Sequence, residues 1–370
     1  MPNQSSRPVL DAEARDNPGV QRNTLIDFFR DLSTTRGEFL AYDDGYRHKT
    51  YTYGQVGSAA RGFAARLTAA GLRKGDKVIF WAENRPEWIA CYWGCLIAGI
   101  IVVPIDYRSS AEFAAKVGRI VEARVILLGT DIPELPAGTD FGNALRWQLS
   151  ELDWHTNSLP MPDVAVSRDD VIQIIFTSGA TGEPKGVVIR HRNVIANIVP
   201  VEREVIKYRR YGRPFHPIRF LNLLPLSHMF GQAMATNVPP MIGGTVIFTR
   251  SLNPHDIIDL IHARRVSVLV CVPKMLDVLR EYVSRAIPES AEPPTPGMSI
   301  PGRWWKYWRV HSAFGLKFWA FVVGAAPLSS ELEEFWRGMG FVVLQGYGLT
   351  ETAPIVTLNH PFKKRKEGSV

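Results

Sequence analysis

The sequence has few cysteines and no residues arranged to bind zinc. Its 370 residues include three cysteines, Cys91, Cys95 and Cys271, each in apolar surroundings. Cys91 and Cys95 are not flanked by the further Cys or His residues that a zinc site requires. We therefore predict three buried thiols in a protein of a reducing compartment.

Signals for secretion and for membrane crossing are missing as well. The N-terminal segment Met1–Pro8 has no apolar stretch behind its charge. The longest apolar run, Ile89–Ile105, is interrupted by Gly99 and falls short of the ~20 uninterrupted residues of a membrane span. It predicts a helix that breaks into a buried strand. We expect a cytoplasmic protein, with a position at the membrane periphery left open.

The composition is that of a globular protein with a basic excess. Hydrophobic residues make up 46% and charged residues 21% of the chain, and the net charge is +7. This length predicts two or three compact subdomains. The positive charge suits a nucleotide, a coenzyme or an acidic lipid, although lysine and arginine on solvated faces account for most of it. Nucleic acid is the weakest candidate, because no recognised nucleic-acid motif occurs.

Helical and strand patterns alternate along most of the chain. Lys77–Trp81 and Ile100–Pro104 are predicted strands, and Pro86–Ala98 between them is a predicted helix. Strands separated by helices of this length imply crossover connections and parallel sheets that are buried on both faces. We predict an α/β fold, a layered body of two parallel-rich β-sheets flanked by helices.

The chain is divided by changes in composition. Residues 1–22 are polar and predicted to be a disordered lead-in, and residues 23–170 form a first α/β subdomain. A Pro/Gly/Asp-rich connection then leads into a second α/β subdomain at residues 171–360. Within it, Asn253 before Pro254 predicts a helix start, and Ser330 with Glu333 predicts a capping box.

A loop rich in Gly, Thr and Ser follows the apolar strand Val171–Phe176. It therefore emerges at the carboxyl end of a strand, where ligands bind in open parallel sheets. The loop offers close backbone approach, hydroxyl donors and one positive charge, through Gly179, Gly182, Thr177, Ser178, Thr181 and Lys185. It is not a Walker A loop, because Pro184-Lys185-Gly186 stands where that motif has Gly-Lys-Ser/Thr. By itself the loop fits a phosphate cradle or an ordinary Gly/Thr-rich turn.

Together with three later segments, this loop resembles the signature of the adenylate-forming (AMP-binding) superfamily. The later segments, in the order of the family, are Leu224–His228, Val323–Leu328 and Gln345–Glu351. Within the superfamily the chain is most similar to the N-terminal domain of long-chain fatty acyl-CoA synthetases. One departure is Ala180, where relatives have Ser or Thr, and it removes one hydroxyl contact to phosphate.

The resemblance assigns roles to individual residues. It implies adenine and phosphate contacts, besides the loop, for Gly324, Ala325, Ala326, Gln345, Gly346, Tyr347, Gly348 and Thr350. His228, Gly324 and Gly346 are expected beside the acyl carboxylate. Thr177 and Glu351 are expected to ligate Mg²⁺, which accepts one or two carboxylates and phosphate oxygens. Lys185, Thr350 and Glu351 are the expected catalytic residues.

The reaction that the resemblance implies is an AMP-forming acid–thiol ligation. A carboxylate attacks the α-phosphorus of ATP, and the acyl-adenylate then forms a thioester with coenzyme A or a carrier-protein thiol. The cofactors are thus ATP, Mg²⁺ and coenzyme A. Charge stabilisation and positioning suffice, because no general base is required. The segment from Asn222 to Ser251 has no acidic residue to hold an ammonium group, which favours a fatty or aryl acid.

A complete relative continues beyond residue 370 into a hinge and a small C-terminal lid domain with a catalytic lysine. The resemblance therefore implies that residues 361–370 begin an incomplete barrel-like subdomain. It also implies that the chain, without that lid domain, is inactive by itself. The alternative is a non-catalytic nucleotide- or lipid-binding module.

The segment Pro288–Val310 interrupts the α/β pattern. It is rich in Pro and Ser and then places four aromatic residues among three cations in Arg303–Arg309. This composition fits a peripheral membrane contact or a lid over an apolar substrate. An aromatic excursion that packs locally remains the alternative.

Overall fold

The computed structural model describes residues 22–136, 139–155, 159–177, 184–212 and 216–359. For Thr177 and residues 206–212 only the backbone is described. The predicted lead-in therefore lies outside the described residues except for Arg22. The predicted barrel segment 361–370 and the loop residues 178–183 also lie outside them.

Most of the strands fall where continuous apolar runs occur in the sequence. Those found in the described residues are β1 (Glu38–Asp43), β2 (His48–Thr52), β3 (Lys77–Trp81), β4 (Ile101–Ile105), β5 (Val125–Leu128), β6 (Leu145–Gln148), β7 (Val171–Thr177), β8 (Lys185–Arg190), β9 (Arg219–Asn222), β10 (Thr245–Thr249), β11 (Val268–Cys271), β12 (Ala320–Val323), β13 (Val342–Gly348) and β14 (Ile355–Leu358).

Helices connect most of these strands. They are α1 (Leu25–Thr34), α2 (Tyr53–Ala69), α3 (Pro86–Ile97), α4 (Ala111–Val121), α5 (His191–Gly212), α6 (Met229–Gln232), α7 (Val238–Met241), α8 (Pro254–Ala263), α9 (Pro273–Ala286), α10 (Ile300–Lys306), α11 (Trp308–Phe314) and α12 (Ser330–Gly338). The Asn253 side chain caps α8, as predicted. The predicted cap of α12 was wrong by one residue, because Ser329 caps it by accepting from the Leu332 N–H.

Two parallel-rich sheets form the framework, which confirms the predicted fold class. The six-stranded sheet has the order β6-β5-β3-β4-β7-β8, and the eight-stranded sheet has the order β14-β13-β12-β11-β9-β10-β1-β2. The antiparallel pairs are β7 with β8, β1 with β2 and β13 with β14. All other neighbours that pair are parallel.

The sheets do not divide at residue 170, where the sequence suggested a subdomain boundary. β7 and β8 follow that residue but extend the first sheet, whereas β1 and β2 precede it and extend the second sheet. A reading along the chain could not show this, because strand pairing brings residues 38–52 beside β10. Residue 170 is therefore a boundary in composition but not between sheets.

Alternating side chains on the strands build the layers of the core. On β3, Val78 and Phe80 belong to a central cluster, whereas Ile79 and Trp81 face a second cluster that includes α4. The central cluster also takes in Phe248 of the other sheet, together with side chains of α2 and α3. Because successive strand residues point to opposite faces, α2 and α3 lie between the two sheets.

Helix α3 shows why the longest apolar run of the sequence does not indicate a membrane segment. Every residue of α3 is buried, which is the behaviour of a helix that is apolar all round inside a large core. None of the helices in the described ranges is both long and apolar enough to cross a membrane. Cys91, Cys95 and Cys271 are free and buried, as predicted, and burial raises the pKa of each thiol.

His191 joins the first helix to the body of the protein. Its imidazole is 2% exposed, and Nδ1 accepts a hydrogen bond of 3.1 Å from the Leu25 N–H. Burial lowers the pKa of His191 to about 4, against the opposing charges of Asp170 and Asp27. The imidazole is therefore neutral in the folded protein at neutral pH.

We predict that acid weakens the fold through His191. Between pH 6.5 and about 4 the unfolded chain binds a proton at this histidine and the folded chain does not. The free energy of unfolding should fall by up to about 3 kcal/mol across this interval. Urea titrations of the wild type and of His191→Gln measure the difference. An identical pH dependence of both proteins would contradict the assignment.

Candidate functional site

Three of the segments singled out in the sequence meet at one edge of the eight-stranded sheet. Segment 223–228 follows β9, segment 324–326 follows β12, and β13 itself ends at Gly348. β9, β11, β12 and β13 are consecutive parallel neighbours. Their carboxyl ends therefore share one edge, which is where ligands bind in open α/β sheets.

Gly324 brings two of these segments into direct contact. A Cβ added to Gly324 would lie 2.6 Å from Cε1 of Phe230 and 3.1 Å from the carbonyl oxygen of Gly346. A side chain at this position would have to displace the Phe230 ring, because carbon atoms do not approach this closely. The contact places Phe230, two residues after His228, against the predicted adenine segment.

Gly348 closes a tight turn at the end of β13. A Cβ at this residue would lie 1.8 Å from the carbonyl oxygen of Pro354, and Leu349 N–H donates to the same oxygen over 3.1 Å. Between these residues, Thr350–Thr352 forms a single 3₁₀ turn. The close backbone approach fixes where Thr350 and Glu351 project.

The side chain of Asn197 in α5 forms hydrogen bonds to the backbone of this turn. Its amide donates to the carbonyl oxygens of Thr352 and Ile355, and its oxygen accepts from the Ile355 N–H, at 2.9–3.0 Å. β8, which begins with Lys185, also contacts the 3₁₀ turn. The arrangement therefore brings the strand that carries Lys185 to the turn that carries Glu351.

The side chains expected to contact the nucleotide are open to solvent. Tyr347, Glu351 and Lys185 are exposed, and Thr350 is partly buried. No lysine, arginine or histidine in the described ranges forms an ion pair with Glu351. A single unpaired carboxylate fits Mg²⁺ bound as a nucleotide complex, which needs few protein ligands. Within the described part of the chain, no three His, Cys, Asp or Glu side chains form a cluster that could hold a metal ion.

The turn after β12 contains a strained residue. Ala325 has a φ of +66°, in the left-handed region that side chains other than glycine rarely adopt. This conformation costs about 1–2 kcal/mol. Ala325 and Ala326 are exposed and directly follow the buried Gly324. The strain thus occurs where the predicted adenine contacts begin.

His228 lies opposite a carboxylate from the other sheet. Its Nε2 is 3.8 Å from Oδ2 of Asp106, which follows β4, and the imidazole is largely exposed. Arg108 holds Asp106 through two side-chain hydrogen bonds of 2.8 and 2.9 Å. Burial acts to raise the pKa of Asp106, but the hydrogen bonds from Arg108 and the nearby His228 outweigh it and hold that pKa well below its ordinary value. The carboxylate is therefore ionised at neutral pH.

Two further polar residues of the six-stranded sheet contact the segment that carries His228. The Asn84 amide donates to the Leu224 carbonyl and its oxygen accepts from the Leu226 N–H, both over 2.8 Å. The buried Gln173 amide of β7 donates to Sδ of Met229 over 2.8 Å. Sequence reasoning missed Asn84, Asp106 and Gln173. A polar residue beside or within a buried strand was the signal that could have identified them.

The structure leaves the phosphate loop itself undescribed. Ser178, Gly179, Thr181 and Gly182 lie outside the described residues. The backbone of Thr177 pairs with Lys185 where β7 and β8 join. The magnesium role of Thr177 and the phosphate roles of the loop stay predictions.

The arrangement of sheets and strand ends is that of the large domain of adenylate-forming enzymes. The N-terminal domain of FACL13 from Mycobacterium tuberculosis superposes with a TM-score of 0.69 at 24% identity, over 91% of this chain and 78% of that one. Apo MatB from Rhodopseudomonas palustris superposes with a TM-score of 0.70 at 22% identity, over 94% of this chain and 64% of that one. At this identity the likeness establishes the fold.

The sequence establishes the family. The model of the AMP-binding enzyme family matches residues 29–370, and the chain belongs to this family. A feruloyl-CoA synthase from Amycolatopsis is 27% identical over 86% of this chain and 58% of its own length. The long-chain-fatty-acid–CoA ligase FadD13 from Mycobacterium tuberculosis is 27% identical over 87% of this chain and 59% of its own length. The chain thus spans less than two thirds of these relatives, and the predicted superfamily is confirmed.

We predict that Gly348 tolerates no side chain. Gly348→Ala places a methyl group on the Pro354 carbonyl and should lower the free energy of unfolding by about 2–4 kcal/mol. Gly346→Ala is the matched control, because the nearest atom to its Cβ is 3.5 Å away. Urea denaturation measures both variants. Equal losses of stability in the two would show that the turn is not as close as described.

We predict that Asn84 holds the His228 segment in place. Asn84→Ala removes two hydrogen bonds and should cost about 1–3 kcal/mol. The Leu226 amide should then exchange its hydrogen faster. Asn253→Ala, which removes the cap of α8 at a cost of about 1 kcal/mol, is the control and should leave that amide unchanged. Unchanged exchange of Leu226 in Asn84→Ala would contradict the role.

Proposed function

We propose that this chain is the nucleotide- and acid-binding body of an AMP-forming acid–thiol ligase. One observation supports this most, the packing of Gly324 against Phe230 and Gly346. It puts the expected acid-binding segment and the expected adenine-binding segment side by side at one sheet edge. Two ligands bound at these segments would therefore be neighbours, as a reaction between them requires.

In the proposed reaction, a carboxylate oxygen of the acid attacks the α-phosphorus of ATP. The bond from that phosphorus to the bridging oxygen breaks, and pyrophosphate leaves with its electron pair. No proton is transferred, so the residues have to position like charges and neutralise them. In the second step the thiol of coenzyme A releases its proton to solvent, its sulfur bonds to the acyl carbon, and the bond from that carbon to the AMP oxygen breaks as AMP leaves.

The exposed side chains at the edge have matching chemistry. Tyr347 presents an aromatic face on which adenine can stack, beside the backbone of segment 324–326. Lys185 supplies positive charge, and the Thr350 hydroxyl can donate to the α-phosphate. Glu351, together with Thr177, would hold Mg²⁺, which supplies charge neutralisation when bound.

For the acid, we propose a fatty or aryl carboxylic acid. Relatives that the chain matches are named feruloyl-CoA synthase and long-chain-fatty-acid–CoA ligase. The segment between Asn222 and Ser251 has no Asp or Glu that could bind an amino acid's ammonium group. His228, beside Asp106, is the proposed neighbour of the substrate carboxylate.

ATP–pyrophosphate exchange tests this proposal. We predict no exchange by the 370-residue chain alone and exchange, with a fatty or aryl acid, by a version extended to the full length of the relatives. In the extended protein Glu351→Gln should lower the exchange rate about a hundredfold, because a charge-stabilising group is lost. Glu334→Gln, at another exposed glutamate, is the control.

The same experiment separates the alternatives. No exchange in the extended protein with any acid of a broad panel would contradict the ligase proposal. ATP binding under those conditions, measured by calorimetry, would favour a non-catalytic nucleotide-binding module instead.

A further inference from the structure

Helices α10 and α11 present apolar side chains to the solvent as well as to the core. Tyr307, Val310 and Phe314 are buried, and the Tyr307 hydroxyl donates to the Glu292 carbonyl over 2.6 Å. By contrast, Trp305 is 84% exposed and Trp308 is 61% exposed. The aromatic segment predicted from the sequence therefore both packs locally and leaves large apolar surface uncovered.

The exposed apolar residues lie close together along the chain. Trp305 lies in the last turn of α10, Trp308 begins α11, and Leu316 follows Gly315, where α11 has ended. Leu316 is 81% exposed. An open cavity of 340 Å³ lies between Trp304, Trp308 and Leu316. We call Trp305, Trp308 and Leu316 the tryptophan patch.

The chain around the patch carries charge of one sign. From Pro293 to Ser330 it contains four Lys or Arg residues and no Asp or Glu. Two of the cations meet carboxylates on the preceding turn, as Arg309 bonds Glu289 over 2.7 Å and Lys306 lies 3.9 Å from Glu292.

The other two cations form no ion pair with a carboxylate among the described residues. Arg303 donates to the carbonyl oxygens of Met298 and Arg337, and Lys317 donates to that of His216. These acceptors are neutral. The patch is therefore flanked by net positive charge.

We propose that the tryptophan patch docks on an anionic lipid surface. Tryptophan favours the boundary between headgroups and acyl chains, because its ring is apolar and its indole N–H is polar. Apolar side chains with flanking cations bind anionic membranes by burying apolar area and by electrostatic attraction. A protein partner would have to supply both an apolar groove and carboxylates. The proposal does not depend on the ligase activity.

Vesicle co-sedimentation of the 370-residue chain tests this proposal. Wild-type protein should sediment with phosphatidylglycerol vesicles and more weakly with phosphatidylcholine vesicles, and added salt should reduce binding. The triple variant Trp305→Ser, Trp308→Ser, Leu316→Ser should bind the phosphatidylglycerol vesicles about tenfold more weakly or less. Tyr46→Ser is the matched control, because Tyr46 is 98% exposed and lies outside the patch.

A second readout uses the wild-type protein alone. Brominated phosphatidylglycerol should quench part of its tryptophan fluorescence, because only inserted indoles meet the bromine atoms. The proposal would be overturned by equal binding of the triple variant and the wild type, or by wild-type protein that neither sediments nor is quenched. Concentration-dependent self-association that the triple variant abolishes, without vesicle binding, would identify a second copy of this chain as the partner instead.

Discussion

The side-chain amide of Asn84 bonds the backbone on both sides of Pro225, and so ties the end of β3 in one sheet to the segment after β9 in the other. Much of the site follows from this connection. With Leu224 and Leu226 fixed, His228 lies opposite Asp106 and Phe230 lies against Gly324. A polar contact between two sheets thus sets the position of a segment that has no regular structure of its own.

The second constraint is steric and comes from two glycines. Because Gly324 has no side chain, the ring of Phe230 can pack against its backbone. In the same way, the carbonyl oxygen of Pro354 lies close to the backbone of Gly348. Both lie at carboxyl ends of neighbouring parallel strands. Backbone packing of this kind leaves Tyr347 and Glu351 projecting to solvent while their main chain is held firmly.

Sequence patterns predicted local structure well where burial is uniform. Lys77–Trp81 is a strand with the predicted bounds, and the predicted strand Ile100–Pro104 lies within one residue of β4, because strands buried on both faces are continuous apolar runs. Sheet membership was not predictable, since β1 and β2 join the second sheet through pairing with β10. Asn84 and Asp106 were missed for the same reason. The residues of segment 224–228 that they contact are more than a hundred residues away in the sequence, and a local sequence pattern cannot predict such contacts.

The motif residues were recognised from their order along the chain, but their convergence required the fold. A crystal structure of the chain with a non-hydrolysable acyl-adenylate analogue tests that convergence most directly. We predict adenine on the Tyr347 ring beside segment 324–326, with the acyl group next to His228. Adenosine bound anywhere else, or an acyl group on the far side of β12 from His228, would contradict it.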